Sequence, residues 1–202
     1  MARPQAADYY DRRAAVLAKA AELYASRGFH GCSISDLAAA CGMSKSLLYH
    51  YFSSKEDILF EIMESHVADL SEVIKEANAI EYPRERFSAQ LHGFMRLYRN
   101  AVHHHKVLVN DLDKLPPERA AHIIKTERAI IASLAASLAA LAPDMAKDEA
   151  RLKAVTMLFF GMINWTHTWF KPGEPLETDD LADLAEQLLL GGLSSAGPKP
   201  LS

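Results

Sequence analysis

Proline placement constrains this chain more than any other feature. None occurs between Pro4 and Pro83, and the later ones fall at Pro83, Pro116–Pro117, Pro143, Pro172 and Pro175, with two more in the tail. Proline is tolerated in the first turn of a helix and excluded from its interior, so each cluster marks a junction. The segments between are rich in Ala, Leu, Glu, Lys and Met, and no alternating pattern marks a strand. The sequence therefore predicts an all-α protein. Helices are expected over about 11–27, 34–40, 45–52, 55–79, 83–103, 106–114, 117–141, 146–169 and 178–193, with a frayed tail from Ser194.

Composition narrows the class. Two cysteines, Cys32 and Cys41, are too few for a disulfide framework. No leader-like apolar segment and no run of about 18 apolar residues occurs, which predicts a cytoplasmic protein without a membrane partner. Residues 1–55 carry seven Lys or Arg against four Asp or Glu, while the remainder carries fifteen against twenty-two. A basic head on an acidic body suits a nucleic-acid module joined to a body with another task.

The head has local detail to match. Gly28 stops the first helix, whose Val16, Leu17, Ala20, Leu23 and Tyr24 share a face. Ser33 caps Ile34–Ala40 with Asp36 three residues on, and Ser53/Glu56 and Ser54/Asp57 are spaced as capping boxes for the long helix that follows. Between them, two short helices flank Gly42, which is the helix-turn-helix pattern. Ile34, Leu37, Ala38, Leu48 and Phe52 are expected inside. Ser44, Lys45, Ser46, Tyr49, His50 and Tyr51 are left outside, the hydroxyls, cation and aromatics that contact phosphates and base edges. Lys55, at a helix start, is placed where a phosphate is favoured. The bland alternative is that the aromatic triplet merely caps a small core.

The stretch from Ala14 to Leu59, above all Ile34 to Glu56 with its Gly42 turn, Tyr49-His50-Tyr51-Phe52 cluster and Ser54-Lys55-Glu56, resembles the DNA-binding domain of the TetR (TetR/AcrR-type) family of regulators. The resemblance implies an N-terminal three-helix DNA-binding domain over 8–55. It further implies a C-terminal helical bundle over 56–195 that binds a small effector and dimerises through its last two helices. A homodimer would place its recognition helices in a palindromic double-stranded operator. By position, Ser33 and Lys55 would touch phosphate, Lys45 and Ser46 would lie at the groove, and Tyr49, His50 and Tyr51 would meet backbone or bases. The family often has glycine where Ser46 stands and a polar residue where Leu47 stands. Leu47 either rewards a thymine methyl or belongs to the core.

The body holds no nucleophile motif, phosphate loop or zinc spacing, so neither catalytic residues, a cofactor nor a metal is read. Consecutive histidines such as His103–His105 point to different sides of a helix and make poor joint ligands. An enzyme built on His103–Asp113 would leave the helix-turn-helix unexplained, and an effector-free architectural protein would not need so large an apolar body. Trp165 and Trp169, four apart, read either as part of a dimer core whose seam is supplied by Leu158, Phe159, Met162, Leu181, Leu184 and Leu188, or as a pocket wall. The run Trp169-Phe170-Lys171-Pro172-Gly173 is similar to that of TetR-type repressors of fatty-acid, sterol or phenylacetate breakdown that respond to acyl-coenzyme A thioesters. That resemblance implies an effector site of Phe94, Tyr98, Trp165 and Trp169, with Arg96, Arg99, Lys106 and Arg128 as candidate cations. The whole is expected to be a repressor released by its ligand, with the helix from Lys55 as lever; the alternative is a different hydrophobic effector.

Overall fold

Each proline that begins a predicted segment also begins a helix. The computed structural model describes residues 3–171, 173 and 175–195, with side chains from Tyr9 to Leu193 apart from 172 and 174. Its elements are α1 (Arg3–Arg27), α2 (Ile34–Ala40), α3 (Lys45–Tyr51), α4 (Lys55–Asn78), α5 (Pro83–Asn100) and α6 (Val102–Asp111). A 3₁₀ turn follows at Leu112–Lys114, then α7 (Pro117–Leu141), α8 (Pro143–Ala146), α9 (Glu149–Asn164), α10 (Thr166–Trp169) and α11 (Thr178–Ser195). Among the described residues there is no strand. Pro83, Pro117 and Pro143 each open a helix, where a missing N–H costs nothing.

The chain divides into two compact units, the first running to Val67 and including Ala101–Ile124, the second comprising Ala68–Asn100 and Lys125 onward. In the first, Val16, Ala20 and Tyr24 recur four apart along α1 and are buried with Leu37, Leu48, Phe52, Ile58, Leu59 and Ile62. Helix α6 packs against α1 and buries Val107 and Leu108. Leu17 and Leu23, expected inside, are only half-buried. Gly28 has φ +73°, a left-handed conformation that ends α1 at low cost for glycine alone.

In the second unit, Phe87, Leu91, Phe94, Met95 and Tyr98 form the inner stripe of α5. They share a core with Leu134 and Leu138 of α7, Phe159 and Ile163 of α9, and Ala182 of α11. A Cβ on Gly93 would lie 2.4 Å from Val73 Cγ1, so glycine permits the close approach of α4 and α5.

Two breaks fall where no proline or glycine announces them. Helices α5 and α6 part at Ala101, inside the segment expected to run 83–103. Helix α9 stops at Asn164, inside the segment expected to run to 169. Here Thr166 Oγ1 donates to the Ile163 carbonyl at 2.6 Å and Thr168 Oγ1 to that of Trp165 at 2.7 Å. Side-chain hydroxyls thus compete for the carbonyls on which a continuing helix depends. Pro172, expected to stop this helix, lies outside the described residues, and α10 has already ended. The tail expected to fray from Ser194 is helical to Ser195, and residues 196–202 lie outside the described residues.

Candidate nucleic-acid interface

In the head, two short helices are bounded by side-chain caps and joined through a glycine turn. Ser33 Oγ accepts from the Asp36 N–H at 3.1 Å, while Asp36 Oδ2 accepts from the Ser33 N–H at 2.8 Å. The Ser33 hydrogen bonds hold the Asp36 carboxyl below the usual carboxylate range. Helix α2 ends as Gly42 N–H reaches Ala39 O and Met43 N–H reaches Ala38 O, with Gly42 at φ +64°. Ser44 then caps α3, accepting from the Leu47 N–H at 3.1 Å.

One side of α3 faces inward and the other does not. Leu48 is 1% exposed and Phe52, its C-cap, is buried beneath it. Ser44, Lys45, Ser46, Tyr49 and His50 are exposed, and Tyr51 is half-buried. Leu47 joins the exposed side, so it is not core. Ser33 is exposed too, but its hydroxyl both donates to Asp36 at 2.6 Å and caps α2. Any phosphate contact there competes with the cap.

Lys55 departs from expectation. Its Nζ donates to the Phe29 carbonyl and lies 4.0 Å from the centre of the Phe29 ring. The ammonium is turned into the head instead of toward solvent, because a carbonyl and two aromatic faces, Tyr24 being the other at 5.7 Å, replace its water. The expected Lys55–phosphate contact is therefore not prepared in this structure.

The effector site expected of Phe94, Tyr98, Trp165 and Trp169 is not assembled either. Phe94 and Tyr98 are buried and stacked with centroids 6.3 Å apart. Trp165 and Trp169 are 64% and 57% exposed. The α-helix of α9 stops at Asn164, Trp165 stands between α9 and α10, and Trp169 closes the four-residue α10. Met157, Leu158, Leu184 and Leu188 of the same unit are exposed with them. Arg96, a candidate cation, pairs instead with Asp179 at 3.3 Å. It lines an open groove of about 420 Å³ with Glu85, Ser88, Ala89 and His92.

Sequence reading missed two sets of polar groups. In the second unit, Gln90 is fully buried with no hydrogen-bond partner for its Oε1, and burial pushes the Glu127 carboxyl up beside Tyr98. Single polar residues inside an apolar stripe leave no mark in its period. In the first unit His66 Nε2 lies 3.2 Å from His105 Nδ1, both rings buried. The run His103–His105 showed only that its members diverge. Among the described residues, no group of three or more His, Cys, Asp or Glu is placed to hold a metal ion. Nor is any helix there long and apolar enough to cross a membrane.

Two short capped helices joined through a left-handed glycine, with a polar and aromatic outer face, define a helix-turn-helix DNA-binding regulator. Residues 16–62 match the bacterial regulatory proteins of the tetR family, and residues 81–193 match the tetracyclin repressor-like C-terminal domain. The chain belongs to the TetR family. A TetR-family transcriptional regulator from Bordetella parapertussis 12822 is 37% identical, covering 93% of this chain and 98% of its own, with a TM-score of 0.87. AibR, solved in complex with isovaleryl coenzyme A and operator DNA, is 28% identical over 89% of this chain and 98% of its own, with a TM-score of 0.79. The transcriptional activator FasR of Mycolicibacterium smegmatis is 24% identical over 91% of this chain and 84% of its own length. The chain is accordingly a transcriptional regulator and not an enzyme, which removes the catalytic reading of His103–Asp113.

Proposed function

We propose that this regulator is a repressor that binds a palindromic operator as a homodimer and is released by a small acyl-thioester effector. The observation that carries the DNA reading is the outward face of α3, where Lys45, Ser46, Tyr49 and His50 stand exposed on a helix rigidly capped at Ser44. These hydroxyl, cationic and aromatic groups are suited to base edges and phosphate oxygens, and the seven-residue helix fits a major groove. Dimerisation is supported by the exposed apolar residues of α9, α10 and α11, namely Met157, Leu158, Trp165, Trp169, Leu184 and Leu188. A patch of this kind on a free surface marks an association site. The tetracyclin repressor-like match of residues 81–193 supports the repressor sense.

For the effector, AibR supports the chemical class, since that relative was solved with a coenzyme A thioester. The interior of the second unit supports an effector with both apolar and polar parts. Phe94 offers an apolar wall, while Gln90 and Tyr98 offer buried polar groups and Glu127 a half-buried carboxyl. An effector that prefers a dimer whose heads are no longer about 34 Å apart would weaken operator binding. Coupling of this kind is worth about 1–3 kcal/mol, a loss of roughly 5- to 150-fold.

The test is a titration of operator-bound protein with isovaleryl coenzyme A, longer acyl thioesters and the matching free acids. Release by a thioester at concentrations where its acid does nothing is expected, because only the thioester carries coenzyme phosphates. Equal potency of acid and thioester, or no response to any thioester, would overturn the effector class. Failure of the protein to select any duplex would overturn the operator reading.

A further inference from the structure

The first turns of α1 carry two aromatics, Tyr9 and Tyr10, that core packing does not explain. Tyr10 is 69% exposed and Tyr9 only half-buried. What they join is the outer face of α3. Tyr9 stacks on Tyr51 with ring centres 4.9 Å apart and planes at 30°, and it meets His50 edge-on at 6.2 Å. His50 and Tyr51 contact one another at 5.6 Å, and Tyr10 packs edge-on against Tyr9 at 5.7 Å. Four rings from two helices thus form one continuous cluster, and two of them belong to the face assigned to DNA.

Helix α3 needs such support. At seven residues it is too short to be stable alone, and its inner anchors, Leu48 and Phe52, leave the outward side chains of its last turn to find their own rotamers. Ordering a side chain at the moment of binding costs affinity, and ordering it beforehand removes that cost. A stacked ring from α1 holds Tyr51 before DNA arrives, and the edge contact limits His50.

We propose that Tyr9 is a positioning residue of the DNA-contacting surface, its ring preorganising His50 and Tyr51 for the operator. Resting on the reading of α3 as the DNA-contacting helix, it places discrimination between sequences partly in α1, outside the helix-turn-helix. Tyr9 acts through other side chains, so its removal lowers specific binding without releasing a counterion. An aromatic pair of this kind, lost in both heads of a dimer, corresponds to a loss of roughly tenfold in operator affinity.

The experiment uses the full chain, a duplex selected by the wild-type protein from a random library, and a scrambled duplex of equal length. Affinities are measured by fluorescence anisotropy at several salt concentrations for wild type, Tyr9→Ala and Tyr9→Phe. The expected result for Tyr9→Ala is about tenfold weaker binding of the selected duplex, unchanged binding of the scrambled one and an unchanged salt slope. Tyr9→Phe, which keeps the ring, should restore the wild-type ratio. Equal affinity of Tyr9→Ala and wild type for the selected duplex overturns the proposal. So does a parallel loss on both duplexes, the mark of a merely weakened fold, and so does a shallower salt slope, the mark of a direct phosphate contact. Should the wild type select no duplex at all, it is the DNA reading of α3 that fails, and this proposal falls with it.

Discussion

Acidification should weaken the first unit through His66. Its ring is 1% exposed and faces His105, and burial, with His105 and then His104 adding to it, pushes its pKa down to about 3. Across the 3.2 Å contact one ring nitrogen must donate and the other accept. In the unfolded chain His66 would titrate near 6.5, so between that pH and about 3 the unfolded state binds the extra proton. Stability is therefore intact above pH 6.5 and falls as the pH drops. At pH 5 the loss from this one group is about 2 kcal/mol, a figure set by the unfolded value so long as the folded one lies well below 5. For a chain of this size that is roughly 4–8 °C in melting temperature. At lower pH the carboxyls of buried Asp111 and half-buried Glu61, both pushed up by burial, act in the opposite direction. Thermal melts followed by circular dichroism at pH 7.5 and pH 5.0, for wild type and His66→Gln, provide the measurement. Glutamine can still meet His105 but cannot titrate, so the acid-induced drop should shrink by about that amount. Equal drops in the two proteins would refute the assignment.

Two further outcomes are expected. Lys55→Ala should destabilise the first unit by about 1–2 kcal/mol, because the Phe29 carbonyl loses the ammonium that donates to it and the Phe29 ring loses the cation over its face. The salt slope of DNA binding should stay unchanged below the melting transition; a decrease of about one per head would show that Lys55 holds phosphate after all. Leu184→Glu combined with Leu188→Glu should give folded monomers in sedimentation, since both side chains are exposed on α11 and neither supports the core; an unchanged dimer would place the interface elsewhere.

What the sequence disclosed depended on whether the signal was local. The Ser33–Asp36 box, the Gly28 and Gly42 stops and the helix-opening prolines each act within four residues, and each stands where expected. Of the inward set expected from helical period, Leu37, Ala38, Leu48 and Phe52 are buried and Ile34 is only half-buried. Lys55 misled because position at a helix start says nothing of a carbonyl twenty-six residues earlier. Trp165 and Trp169 are exposed, which their four-residue spacing could not show, and the helix expected to carry both is interrupted beside threonine hydroxyls that period counts ignore. Tyr9 went unnoticed because its partners, His50 and Tyr51, lie some forty residues away and only the fold brings the rings together.

The break after Asn164 also decides what light can report. It leaves both tryptophans of the chain, Trp165 and Trp169, largely in water and in the second unit, while the DNA-reading unit has tyrosines but no indole at all. The protein is thus optically labelled on one unit only. Covering that face should move the indole emission toward shorter wavelength, whereas melting of the helix-turn-helix should leave it almost still. Tryptophan emission and far-ultraviolet dichroism therefore follow different events in the same sample, and disagreement between them would locate a transition in one unit or the other.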